Sequence, residues 1–281
     1  MQYLILGVVF LLMISVGMSL KFTSVISRWK QISWGSWSRL LIATFLIPPA
    51  LALLFAHLFR LSLGETAGLF LVGVAPGAPL LTRNMARRGF DMHLAASYQV
   101  WTALMVPVMI PIVVMAAGKL YGRDIWIPPI HLVKQIVIKQ FFPLSVGMLF
   151  TWIAPRAAQR SQPVLNVSGN ILFTLAIVLI LFKLGPSLKG LTLLTPIAAF
   201  LLAIGSMAAI SLVGINDALV QQTFTICNAN RHVGLALLLS SQYVHSRNAL
   251  PAVVCYALII PVIILVYAKY RAKQNIIAIT S

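Results

Sequence analysis

Long apolar stretches, separated by short polar connections, make up most of this chain. Each stretch is close to the roughly 20 residues that an α-helix needs to cross a hydrocarbon layer about 30 Å thick. About nine of them can be placed, at residues 3–20, 40–59, 63–82, 93–118, 131–153, 164–182, 191–213, 219–241 and 247–268. The pattern predicts an all-α integral membrane protein of about nine transmembrane helices, formed as one membrane domain over residues 1–281.

The composition supports the bilayer as the solvent and narrows the function. Apolar residues are 60% of the sequence and charged residues 9%, against roughly a quarter charged in soluble domains. The connections are too short to hold a soluble catalytic or DNA-binding domain. The net charge of +17 is explained by basic residues at helix ends, where they meet anionic lipid headgroups. We therefore expect membrane lipids as partners and no nucleic acid.

The distribution of lysine and arginine predicts the topology. Odd-numbered connections and the C-terminal tail carry about twice as many basic residues as the even-numbered connections. Short positive loops stay on the cytoplasmic face, so this bias predicts an N-terminus outside and a C-terminus inside. The expected location is the cell (inner) membrane.

Two of the predicted spans contain residues that an uninterrupted structural helix avoids. The third carries Pro76, Gly77 and Pro79 at membrane depth, which removes backbone donors and favours unwinding. The eighth carries a polar run between apolar flanks that includes Asn228, Asn230, Arg231 and His232. For the third span the alternative is a proline kink without a transport role. For the eighth span it is a polar cluster that only joins helices by hydrogen bonds. Because the breaks lie five helices apart, they would correspond in two inverted repeats, which is typical of a midplane substrate site in carriers.

At these residues the chain resembles the bile acid:sodium symporter family, within the bile, arsenite and riboflavin transporter superfamily. The resemblance lies in the stretch 13–20, the Pro76-Gly77 turn and the run 230–236. It implies a ten-helix fold of two inverted five-helix repeats, here without one N-terminal helix. It also implies that the third and eighth spans are unwound and cross in a core domain, which would comprise about residues 40–118 and 191–268. The panel domain would comprise about residues 3–20, 131–153 and 164–182, with the substrate between panel and core.

The chain departs from the family pattern where sodium symporters bind their ions. Leu81 and Thr82 stand where the family has a Ser-Asn pair, and Cys227 and Arg231 stand where it has an acidic residue and a glutamine. A hard cation prefers oxygen ligands, usually with a carboxylate. One hypothesis is that Arg231 supplies the positive charge that sodium supplies in relatives, so that sodium coupling is altered or lost. The rival hypothesis is that sodium still binds, through oxygens of Asn228, Asn230, Thr82 and Gln99.

Other polar residues complete the candidate binding site. His232 could couple transport to protons, although a hydrogen-bonded packing role is the commoner one for such a histidine. The fourth span carries polar residues in the region that completes an ion site in relatives: Ser97, Tyr98, Gln99 and Thr102. The predicted substrate and ion site therefore comprises Pro76, Gly77, Thr82, Gln99, Thr102, Asn228, Asn230, Arg231 and His232.

The sequence favours a secondary carrier of a small organic anion over other functions. The alternative is a receptor or partner-binding module that keeps the carrier fold without transporting. Neither HExxH nor GxSxG is present, and the four acidic residues fall near predicted helix ends, so we expect no enzyme, no metal site and no bound cofactor. Substrate identity, direction of transport and oligomeric state cannot be read from the sequence.

Overall fold

The computed structural model describes residues 2–19, 34–77, 90–121, 129–188, 190–215, 217–244, 246 and 248–280. These residues form helices that we number in chain order. They are α1 (Gln2–Ser19), α2 (Trp34–Leu41, a π turn at Ile42–Leu46, then Ile47–Leu58), α3 (Leu63–Val74), α4 (Met92–Tyr121), α5 (Pro129–Ile136, a π turn at Val137–Phe141, then Phe142–Ile153), α6 (Pro155–Leu188), α7 (Leu194–Ala209 and a 3-10 turn at Ile210–Val213), α8 (Ala218–Ala229), α9 (Val233–Tyr243) and α10 (Ala249–Thr280).

Membrane-spanning helices dominate the fold, which confirms the predicted all-α membrane class. Within the described residues, six helical stretches are long and apolar enough to cross a bilayer, in α2, α4, α5, α6, α7 and α10. Two shorter apolar helices lie at Ile5–Ser19 and Leu63–Val74. The predicted total of about nine spans therefore stays a prediction, because three of them are represented by short or interrupted helices.

Helix α6 begins earlier than the sequence pattern indicates. Only Ala154 separates it from α5, whereas the apolar pattern predicts a connection as far as residue 163. Pro155 occupies the first helical position, where its missing N–H costs nothing. The next turns are exposed and carry Arg156 and Arg160, so their polarity reflects a solvated helical end rather than a loop.

Helices α3 and α9 lie at the centre of the molecule. All residues from 64 to 77, and all from 233 to 240, are buried, which is the pattern of a helix surrounded by other helices. Helix α3 packs mainly against α2 and α10, and α9 packs against α1, α3 and α10. At about 1.5 Å per residue, each is too short to cross the bilayer alone, so both are half-spans that end inside the protein.

The start of α3 is fixed by a buried carboxylate. Ser62 and Glu65 form a capping box in which each side chain binds the other residue's backbone N–H. Glu65 also accepts hydrogen bonds from the Thr192 N–H at 2.6 Å and from the Thr195 hydroxyl at 2.8 Å. These contacts join the beginning of α3 to the beginning of α7.

Helices α1, α5 and α6 pack on one another, and we call them the three-helix group; α1 also packs against α9, and the first part of α5 against α4. Gly17 and Gly147 face each other between α1 and α5, and a Cβ on either would lie about 2 Å from a carbonyl oxygen of the other helix. Such close backbone contact is the usual way in which small residues join membrane helices. The Ser15 hydroxyl, donating to Asn166 Oδ1 at 2.5 Å, links α1 to α6.

Candidate functional site

Both of the breaks predicted from the sequence are present. Helix α3 ends at Val74, and Gly77 follows with a φ of 78°, a left-handed conformation that favours glycine. Helix α8 ends at Ala229, residues 230–232 are not helical, and α9 begins at Val233. The eighth span is therefore an interrupted helix, as expected, and the helix of the third span ends at its predicted break.

The two breaks are in direct contact. The backbone N–H of His232 donates to the carbonyl oxygen of Ala75 at 2.8 Å. Pro76 and Gly77 are buried next to α4, where a Cβ on Gly77 would lie 2.5 Å from the hydroxyl oxygen of Thr102. The non-helical segments of the two spans thus meet in the protein interior, beside the fourth predicted span.

Helix α2 contributes two backbone carbonyls that have no helical partner. In its π turn, the Ile47 N–H bonds to the carbonyl of Ile42, so it is not available to Ala43. Pro48 and Pro49 follow and carry no N–H, so they cannot serve the carbonyls of Ala43 and Thr44. Because a buried carbonyl without a donor is costly, these two oxygens require hydrogen-bond donors from elsewhere.

Arg231 supplies the donor for one of these two carbonyls and binds α3 as well. Its side chain is 1% exposed, and its Nη2 donates to the carbonyl oxygen of Thr44 at 2.8 Å and also to that of Gly73 in the last turn of α3. Its Nη1 donates to Asn228 Oδ1 at 3.2 Å. Arg231 therefore joins α2, α3 and α8. Every partner of its side chain among the described residues is a neutral oxygen, and Nε has no partner within them.

Asn228 uses all of its hydrogen-bonding capacity in the same cluster. Its Nδ2 donates to the carbonyl oxygens of Ala43 at 3.0 Å and Ser206 at 2.6 Å. Its Oδ1 accepts from Arg231 and from the hydroxyl of Tyr98 at 3.1 Å. Since a carbonyl oxygen has two lone pairs, Asn228 Oδ1 has no free position for a cation.

His232 caps α9 and has one nitrogen left over. The N–H of Leu235 donates to His232 Nδ1 at 3.0 Å, so the neutral ring carries its proton on Nε2. Nε2 is buried and has no partner among the described residues. A Cβ on Gly234 would lie 3.4 Å from the His232 ring and 3.0 Å from Val9 of α1. The ring therefore lies where α9 meets the three-helix group.

The remaining predicted residues are placed as follows. Gln99 is buried on α4, and its backbone carbonyl accepts from the Thr102 hydroxyl at 2.9 Å. Of the two residues, Thr102 is the one shown beside the Gly77 turn. Asn230 is half-buried in the break and is not among the partners found for Arg231. Thr82 lies outside the described residues, as do the other residues of the third span beyond Gly77.

Several contributors were not identified from the sequence. The carbonyls of Ala43 and Thr44 are missing from the predicted site, although Pro48-Pro49 in the second span was a signal that two backbone acceptors would be free. Tyr256 donates to the carbonyl oxygen of Ala229, the last residue of α8, at 2.5 Å. Nothing in the local sequence of α10 indicates that contact.

The described residues around Arg231 do not fit a sodium ion of the kind that the family resemblance implies. Asn228 Oδ1 is saturated, and the guanidinium of Arg231 binds the carbonyl oxygens of Thr44 and Gly73. A cation at these oxygens would be repelled by that charge, and none of the groups found around it is a carboxylate.

A protein-family model described as Sodium Bile acid symporter family matches residues 6–191. This range covers about two thirds of the chain and includes α1 to α6, with the first break. The second break, with Arg231, lies beyond it. No individual curated protein gives a significant match.

Proposed function

The chain belongs to the sodium bile acid symporter family, and we propose that it is a secondary carrier that moves a small organic anion across the membrane by alternating access. The family match and the six apolar spans identify a multi-pass membrane protein of a transporter family. The nature of the coupling and the position of the substrate are the parts that we propose.

The packing suggests how the two domains divide. We assign α1, α5 and α6 to the panel and the remaining helices to the core. The paired glycines Gly17 and Gly147 and the Ser15–Asn166 hydrogen bond favour movement of α1, α5 and α6 as one body. Arg231 and Asn228 join α2, α3, α7 and α8 in the same way within the core.

The observation that carries the proposal on coupling is the Arg231 side chain, which is buried among the freed carbonyls of two helices. A guanidinium keeps its charge at any physiological pH and offers five donors. It can therefore hold the break together permanently, as an ion would do only while bound. We infer that transport by this chain does not require sodium.

The substrate anion is expected at the boundary between α1 and α9. The Nε2–H of His232 has no partner among the described residues, the His232 ring lies near the contact of Gly234 with Val9, and the first turn of α9 adds the positive end of a helix dipole. Arg231 contributes its charge from the next position, while its Nη donors stay on the protein. This arrangement suits a carboxylate better than a cation.

Transport by the purified protein in liposomes tests the proposal. Counterflow of labelled cholate, pyruvate or pantoate should be saturable for one of them and equally fast in sodium and in choline chloride. A receptor would bind one of these anions, as shown by a thermal shift, without counterflow. Uptake that is steeply sodium-dependent and survives Arg231→Ala would contradict the proposed role of the arginine.

A stability measurement tests the same role without a substrate. Arg231→Gln leaves the oxygens of Thr44, Gly73 and Asn228 without their cation, so sodium should raise the melting temperature of this variant more than potassium does. The wild type should show no such difference. Arg39→Gln is the matched control, because Arg39 is exposed and makes one long hydrogen bond, 3.4 Å to the Val213 carbonyl.

A further inference from the structure

A second polar cluster links the three-helix group to α9, far along α9 from the Arg231 break. The Lys139 ammonium donates to Gln135 Oε1 at 2.9 Å and to Gln242 Oε1 at 3.1 Å. Gln135 Nε2 in turn donates to the hydroxyl of Tyr243. Gln135 and Lys139 belong to α5, and Gln242 and Tyr243 are the last two residues of α9. We call these four residues the α5–α9 cluster.

The cluster lies between the beginning of α5 and the break at the start of α9. Helix α9 has 11 residues, so its last turn is about 15 Å from the break at its start. Lys139 is ten positions after the first residue of α5, about 15 Å along that helix, and its side chain reaches back toward Gln135. An anion that enters between α5 and α9 from the face at which α5 begins would meet this cluster before it reached His232.

The charge of Lys139 is poorly compensated in this structure. It lies half-buried in the π turn of an apolar helix, where a charged side chain is costly. Both of its partners among the described residues are neutral amide oxygens. A carboxylate would form a charge-assisted hydrogen bond with the same ammonium, which is roughly twice as strong as a bond between neutral groups.

We propose that the α5–α9 cluster is an entry site for organic carboxylates, at which the arriving anion binds Lys139 in place of Gln242 and so releases α5 from α9. The proposal rests on the proposed function, since it assumes that the panel moves against the core. In the closed arrangement, the two cross-helix hydrogen bonds hold the three-helix group against α9. Binding of a carboxylate removes one of them and places the anion at the opening.

A cysteine reporter measures this opening directly. Val9→Cys, in a background with Cys227→Ala and Cys255→Ala, places a thiol at a buried position where α1 meets α9. A membrane-impermeant thiol reagent, applied to either face of reconstituted vesicles, reports when that position becomes accessible. Lys139→Met in this background should speed labelling about tenfold from one face only, the factor given by the loss of one cross-helix hydrogen bond to a charged group.

Two further variants serve as controls. Lys134→Met removes an exposed lysine of the same helix and should leave the labelling rate unchanged. Tyr243→Phe removes only the second cross-helix bond, so it should speed labelling by a smaller factor while keeping the ammonium. It also provides the test if Lys139→Met fails to fold.

Cholate, below its micellar concentration, is the carboxylate probe. It should speed labelling of the reporter in the otherwise wild-type background and have no further effect in Lys139→Met. If neither Lys139→Met nor Tyr243→Phe changes labelling from either face, the cluster does not hold the domains together and the proposal is wrong. If the variants speed labelling but cholate, pyruvate and pantoate do not, the anion-binding part is wrong. Both results can be obtained whether or not counterflow is observed, so they are distinct from a failure of the proposed carrier function.

Discussion

Replacement of Arg231 by alanine should destabilise the protein by an amount that the structure allows us to calculate roughly. The side chain is the donor found for the carbonyl of Thr44, which Pro48 cannot serve, and for that of Gly73 at the end of α3. In Arg231→Ala both oxygens stay buried without it. Each such loss costs about 1–3 kcal/mol, and removal of a buried charge offsets part of the total. We expect a net loss of about 3 kcal/mol in the free energy of unfolding.

The loss should be visible as a lower melting temperature in detergent, by roughly 6–12 °C for a chain of this size. Arg39→Ala is the control and should change the free energy of unfolding by less than about 0.5 kcal/mol, because Arg39 is exposed and the bond found for it among the described residues is long. If Arg231→Ala melted within about 1 °C of the wild type, the arginine would not be the group that holds α2 and α3 together.

Three other perturbations test separate parts of the structure. Gly77→Ala forces a side chain into a φ of 78° and within 2.5 Å of a threonine hydroxyl, so it should lower the free energy of unfolding by about 2 kcal/mol or more. Gly7→Ala is the control: Gly7 has open space around it, so this change should not alter the melting temperature measurably. Gly147→Val should separate α1 from α5, because its Cβ would lie 2.1 Å from a carbonyl oxygen, and should lower both the melting temperature and transport. The transport rate should be unchanged between about pH 5.5 and about pH 8, because His232 Nδ1 accepts the hydrogen bond that caps α9 and protonation there would break it. A rate that changed tenfold over this range would indicate proton coupling instead.

The apolar pattern predicted the membrane class and both broken spans, because these depend on composition and on proline and glycine at depth. Pro76, Gly77 and the polar run around Arg231 violate the rules for a continuous helix, and such violations are visible in a single sequence. The start of α6 was misplaced because the prediction relied on the same compositional signal. A polar helical end and a polar loop have similar compositions, and Arg156 and Arg160 do not distinguish them.

The partner of Arg231 on α2, the carbonyl of Thr44, could not be predicted, because it is a backbone oxygen of a helix that is distant in sequence. That Thr44 and Gly73 face the same guanidinium depends on how α2 and α3 cross. The Pro48-Pro49 pair shows only that acceptors become free, and not which donor reaches them. The hydrogen bond from Lys139 to Gln242 could not be predicted either, because neither residue has an unusual local sequence. Only the packing of α5 against α9 brings them together.

In the carrier that we propose, a guanidinium that is part of the chain also sets the electrical balance of the transport cycle. It returns with the protein after every turnover, so a carried carboxylate moves its own negative charge across the bilayer without a companion ion. A membrane potential of about 100 mV, negative inside, then opposes accumulation of a monovalent anion by about 2.3 kcal/mol and assists its release to the outside by the same amount. Such a carrier works most easily as an exporter or as an exchanger of one anion for another.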